Sequence, residues 1–165
     1  LFAYTPLKLR SALSTVVGAV PGALPPVTGW VSAGGEFGAG AGALFAILFL
    51  WQLPHTLAIA RLHREDYARA GIRVLPVVDP RGTSTERQIV AGCLALLAVG
   101  LLPTLIGLTG PVYFFGALTL GIGFLGCGIV QAFSPSVAAA RRLLFASLLY
   151  LPLVLGLMAL DKARF

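Results

Sequence analysis

The sequence predicts an all-α protein, a multi-pass bundle of about five transmembrane helices, and three observations predict it. Of its 165 residues, 58% are hydrophobic and only 11% charged, against roughly 45–50% and about 25% in ordinary soluble domains. The apolar residues gather in five long runs, and the basic residues gather between alternate runs. A soluble fold of this size could not cover its surface with so few charges. Lipid must therefore be the solvent for much of a chain whose mean hydropathy is +0.92.

A bilayer core of about 30 Å needs roughly 20 apolar residues in a helix. The first run covers about 12–33 and is interrupted by Pro21, Pro25 and Pro26. The second, about 40–60, carries Pro54, where a kink or loosened turn is expected because the ring removes an amide donor and crowds the carbonyl of Leu50. Three more runs follow at about 88–108, 111–133 and 143–160. The turn from Leu108 to Pro111 is a tight hairpin by composition. Residues 61–87 form the long loop, and all of 1–165 reads as a single membrane domain. The opening at Leu1, with no Met and no signal-peptide pattern, reads as a fragment or a processed chain.

If five helices alternate, Lys8, Arg10, Arg61, Arg64, Arg69, Arg73, Arg81, Arg87, Arg141 and Arg142 share one side, and Lys162 and Arg164 the other. The positive-inside rule makes the basic side cytoplasmic. It also accounts for the net charge of +6. No basic stripe carries interleaved aromatics, so nucleic acid is not an expected partner. Cys93 and Cys127 lie inside apolar runs at no metal-ligand spacing.

Polar groups inside a membrane are expensive, which singles out three patches. Gln52 and His55 are three residues apart and share a helix face. If the helix continues past Arg61, Asp66 lies on the same side about three turns on. Hydrogen bonding to a neighbouring helix would equally explain Gln52 and His55. The second patch is Arg64-Glu65-Asp66-Tyr67-Ala68-Arg69-Ala70-Gly71. Adjacent carboxylates can hold Mg²⁺ against phosphate oxygens, with Arg64, Arg69 and Arg73 taking those oxygens directly. An ordinary solvated loop with compensating charges is the alternative. In the third patch, Tyr4 and Lys8 would meet on one helix face beside Arg10, ready for an anionic group or serving as interfacial anchors.

Taken together and in this order, the patches resemble the carboxyl-terminal half of the protohaem IX farnesyltransferase (haem O synthase) family, within the UbiA-type intramembrane prenyltransferase superfamily. The resemblance runs over nearly the whole chain. It is densest in Tyr4-Thr5-Pro6-Leu7-Lys8, in the run from Val17 to Trp30, in Trp51-Gln52-Leu53-Pro54-His55, and in Arg64 to Gly71 followed by Leu75-Pro76-Val77-Val78. It implies a nine-helix bundle of which this chain holds the last five helices. It implies farnesyl diphosphate and haem B as substrates, haem O and diphosphate as products, Mg²⁺ as the ion, and haem A synthase as a further partner. Tyr4 and Lys8 match a Tyr-x-x-x-Lys element that binds or ionises the diphosphate, while Glu65 and Asp66 match the second acidic motif and would hold the metal. Lys8, Tyr4, Asp66 and Arg64 are thus the expected catalytic residues. Arg10, Tyr67 and Arg69 join Tyr4, Lys8 and Arg64 in substrate binding, and the position of Gln52 and His55 adds them to that set as contacts to haem iron, a propionate or a water. The first acidic motif, Asn-x-x-x-Asp, belongs to amino-terminal helices absent here, so these 165 residues alone should be inactive. A bacterial inner membrane is the implied location. Two other readings remain: a relative that prenylates an aromatic or quinone-precursor acceptor, and a non-catalytic bundle such as a transporter half.

Overall fold

The computed structural model describes residues 14–79 and 81–162. Tyr4, Lys8 and Arg10 lie outside the described residues, as does the whole Tyr-x-x-x-Lys element. Nine helices occur among the described residues: α1 (Ser14–Gly22), α2 (Leu24–Ser32), α3 (Ala39–Leu62), α4 (Arg64–Arg69), α5 (Leu75–Val78), α6 (Thr83–Gly100), α7 (Leu102–Leu105), α8 (Pro111–Phe133) and α9 (Val137–Leu160). Among the described residues, four spans are long and apolar enough to cross a membrane: Ala39–Leu62, Thr83–Leu105, Pro111–Phe133 and Val137–Leu160. The chain is a multi-pass helical membrane protein.

The first expected span is not one helix. It breaks at Ala23 into α1 and α2, each of 9 residues, because Pro25 and Pro26 supply no amide to carry the ladder across the break. Both pieces nonetheless pack along α3. Gly22 lies against Gln52, and Trp30 lies against Gly40, so the broken segment runs antiparallel to α3. From Ser14 to Ser32 it would rise about 28 Å at 1.5 Å per residue.

The long helices form a closed ring in which α3 meets α6, α6 meets α8, α8 meets α9 and α9 returns to α3. Ile47, Leu57, Ile89, Leu96, Leu143 and Val154 fill its centre. Lipid offers apolar side chains no reason to leave it, so close packing between backbones must hold the ring together. Small residues permit that approach. A Cβ on Gly128 would lie 3.0 Å from Cys93 Sγ, and one on Gly92 would lie 3.2 Å from the Pro54 ring. The helix runs on through Pro54, which is itself buried in that contact.

Several boundaries move, each for a visible reason. Helix α6 begins at Thr83, five residues before the expected Gln88, because Asp79 Oδ2 accepts from the Thr85 amide at 2.8 Å and the Thr85 hydroxyl at 3.1 Å. Burial works against the Asp79 carboxylate, but hydrogen bonds from the Thr85, Ser84 and Gly82 groups outweigh it and hold its pKa below the usual value. Helix α9 starts at Val137 because the Ser136 hydroxyl accepts from the Ala139 amide at 3.1 Å. Arg141 and Arg142 therefore stand on the first turns of a helix, not in a loop. The long loop itself carries α4 and α5. At the opposite end of the ring, Asp161 Oδ2 accepts from the Tyr113 amide at 2.6 Å and fastens the start of α8 to the end of α9.

The charges segregate by end. Arg61 to Arg87, Arg141 and Arg142 surround the ends Leu62, Thr83, Phe133 and Val137, whereas Glu36, Asp161 and Lys162 lie at the other end. Among the described residues, one charge pair penetrates the ring. Arg61 Nη2 donates to Glu86 Oε1 at 2.6 Å, and Gln131 Nε2 donates to the same oxygen at 3.3 Å. Gly82, at φ +74°, lies against that guanidinium, which leaves no room for a side chain.

Two outcomes follow from this packing. Single cysteines at Phe37, 85% exposed, and at Thr83 should react with impermeant reagents from opposite sides of the membrane; labelling of both from one side would overturn the arrangement. Glu86→Ala should destabilise the protein by about 3 kcal/mol, the lower end for breaking a buried pair, since the Arg61 side chain keeps 17% exposure. Replacing Arg61 and Glu86 together by Met and Leu should recover most of the loss in a detergent unfolding titration.

Candidate functional site

Gln52 and His55 project from one face of α3, as their spacing requires, and meet different neighbours. Gln52 Nε2 donates to Leu48 O at 3.2 Å and to Ala19 O at 3.4 Å. Its carboxamide fills the space that a side chain on Gly22 would need. His55 Nδ1 lies 2.8 Å from the Ser147 hydroxyl on α9, and its ring stacks on Trp51 with centroids 4.6 Å apart. Trp51 Nε1 donates to Ser147 O at 2.7 Å. Two contacts thus hold the imidazole, one from α9 and one from α3 itself, and the Trp51–Ser147 bond ties them together. His55 is half-buried.

The acidic patch is built differently. Helix α3 ends at Leu62, and His63 turns the chain before α4 begins at Arg64. Asp66 therefore does not extend the Gln52 and His55 face along one continuous helix, because the helix that this alignment required stops at Leu62. Helix α4 closes in a Schellman motif: the Gly71 amide bonds to Ala68 O at 3.1 Å and the Ile72 amide to Tyr67 O at 2.9 Å. The motif needs a left-handed residue, and Gly71 has φ +69°. This closure explains the Ala70-Gly71 ending of the patch.

Arg64 and Tyr67 are half-buried, while Glu65, Asp66 and Arg69 are exposed. Asp66 accepts from His63 Nδ1 at 3.4 Å and pairs with Arg69. The His63 hydrogen bond, then that from Arg69 and its charge, hold the Asp66 pKa below the usual carboxylate value. Asp66 is accordingly ionised at neutral pH, as a metal-binding carboxylate must be. Two adjacent carboxylates offer hard oxygen donors of the kind Mg²⁺ takes, so their chemistry fits that ion. They form only part of a coordination shell, since no group of three or more His, Cys, Asp or Glu side chains gathers among the described residues. An incoming ion would compete with Arg69 for the Asp66 carboxylate.

Sequence reasoning missed Ser147, Trp51, Glu86 and Gln131 as partners. The available signal was polarity in an apolar context. Ser147 and Tyr150 are the only polar side chains between Leu143 and Leu160, and Gln131 is the only amide between Pro111 and Phe133.

An all-α membrane bundle with basic and acidic side chains clustered at one end defines a class of intramembrane protein, and comparison with known proteins makes it specific. The UbiA prenyltransferase family model matches residues 1–158, and the chain belongs to that family. It is 53% identical over 162 residues to a protoheme IX farnesyltransferase of Solibacter usitatus, covering 98% of this chain and 56% of that protein. A protein of the same name from Koribacter versatilis is 47% identical over 98% of this chain and 54% of its own length. One from Salinibacter ruber is 44% identical over 98% of this chain and 57% of its own length. The chain thus spans about half the length of the curated relatives it matches. No solved structure matches it.

The Asp66 pairing is directly testable by carboxyl-resolved NMR. Arg69→Met should raise the Asp66 pKa, because it removes a hydrogen bond and a positive charge that favour the ionised form. His63→Ala should move it the same way. An unchanged titration in both variants would mean that neither group holds the carboxylate.

Proposed function

We propose that the protein transfers the farnesyl group of farnesyl diphosphate to a vinyl group of haem B, giving haem O and diphosphate. The observation that carries this reading is the 53% identity over 98% of the chain with a protein named protoheme IX farnesyltransferase. The polar inventory supports it, since the same short stretch offers cationic and carboxylate groups beside an apolar bundle.

In this reading the allylic C–O bond breaks and its electron pair leaves with diphosphate. The vinyl π pair then forms the new C–C bond, and water adds to the resulting cation with loss of a proton. The step asks for charge neutralisation on leaving oxygens and for exclusion of water from the allylic cation until it is trapped. Arg64 and Arg69 would bind diphosphate oxygens from the membrane surface, with Tyr4, Lys8 and Arg10 contributing from the amino-terminal segment. Glu65 and Asp66 would hold Mg²⁺, which when bound supplies Lewis-acid neutralisation of the diphosphate. Tyr67 stands beside that site, and Gln52 and His55 serve the acceptor side. The basic end would face the cytoplasm of a bacterial cell. Further acidic groups would complete the metal site.

Haem extracts from cells expressing the intact protein provide the test, with haem O expected to accumulate. Asp66→Ala should lower turnover 10²–10³-fold, about 3–4 kcal/mol of transition-state stabilisation, without comparable loss of folded protein. Haem O formation by Asp66→Ala at the wild-type rate would reduce Asp66 to a surface charge. Prenylation of a quinone precursor with haem left untouched would replace haem as the acceptor.

A further inference from the structure

The hydrogen bonds around His55 determine which of its ring nitrogens carries the proton. Ser147 Oγ lies 2.6 Å from Leu144 O and 2.8 Å from His55 Nδ1. A carbonyl oxygen only accepts, and a hydroxyl has a single proton to give. The Ser147 proton therefore goes to Leu144 O, and Ser147 Oγ must accept from His55. Nδ1 is the donor. In a neutral imidazole, the form a membrane span can hold without a counter-charge, the lone pair then resides on Nε2.

That nitrogen has no hydrogen-bond partner among the described residues, and His55 is only half-buried. The ring behind it cannot easily turn, because Trp51 stacks on it and is itself tied to Ser147 O. A neutral imidazole whose Nδ1–H is committed to a neighbour, and whose Nε2 lone pair is thereby oriented, is the arrangement by which proteins bind iron through histidine.

We propose that His55 Nε2 is an axial ligand to the iron of haem B, and that Ser147 is the positioning residue that sets the tautomer and aims the ring. The proposal rests on haem being the acceptor substrate. Ligation at a fixed nitrogen sets the porphyrin plane relative to α3 and so limits where the reacting vinyl group can lie.

The test is titration of haem B into the purified intact protein, read by Soret absorption, electron paramagnetic resonance and the iron–histidine stretch in resonance Raman, alongside a haem farnesylation assay. Wild type should give a histidine-ligated spectrum. His55→Gly should lose it and regain it on adding free imidazole, and His55→Met should shift it to a thioether-ligated form. Ser147→Ala should keep histidine ligation but bind haem roughly 10–100-fold more weakly, as removal of outer-shell partners of metal ligands does. Haem farnesylation with a spectrum unchanged in both His55→Gly and His55→Met overturns the ligation and leaves the function standing. Histidine-type binding lost in both variants, with no farnesylation of haem by wild type, supports the ligation and sinks the proposed reaction. A wild type that binds no haem overturns both.

Discussion

The bilayer core contains no water to hydrogen-bond a stranded backbone amide or to solvate a charge, and most of this structure follows from that lack. Each spanning segment satisfies its own amides as a helix. Each proline costs a bond and must fall where something compensates. Pro111 sits at the first turn of α8, where its missing amide is no loss. Pro54 sits mid-helix with its ring packed toward Gly92. Pro25 and Pro26 coincide with a change of helix. Charges obey the same constraint. Those that enter the ring do so as Arg61 with Glu86 and Gln131, close to the end where α3 and α6 leave it. The other charged side chains among the described residues stay outside.

Periodicity and run length made the four long spans legible, because little besides a membrane crossing calls for a run of about 20 apolar residues. The run at Pro111–Phe133 agrees residue for residue. What run length cannot express is a local hydrogen bond that extends or starts a helix. Asp79 and Ser136 begin α6 and α9 among polar residues that hydropathy assigns to loops. Nor does it foresee that three prolines in one apolar run yield two short helices. The site was legible as a set of residue types. Its pairings were not, because they depend on tertiary neighbours. Ser147 lies 92 residues from His55, and nothing local to either marks the bond between them. The alignment of Asp66 with His55 was conditional on a continuing helix, and the turn at His63, which separates α3 from α4, removes that condition.

The two halves of the candidate site consequently differ in rigidity. His55 is held by its stack on Trp51 and by the hydrogen bond it donates to Ser147 on α9, where rearrangement would disturb close-packed helices. Asp66 stands on a helix of six residues, and its partners His63 and Arg69 lie within the same short stretch. An exposed pair of that kind contributes little to stability. It can therefore exchange partners at little free-energy expense, as a carboxylate must if it is to trade Arg69 for a cation and a diphosphate.

That contrast suits the order of events a prenyl transfer would require. The acceptor must wait in a defined orientation, because the allylic cation is captured by whatever nucleophile lies nearest and an acceptor out of place loses to water. The diphosphate end must admit a large, charged, metal-bound group from solution and later release it. Rigid holding at His55, with loose local pairing at Asp66, would satisfy both demands of the proposed reaction. The lipid environment permits this division, since only groups at the membrane surface can change ionic partners without losing their hydration.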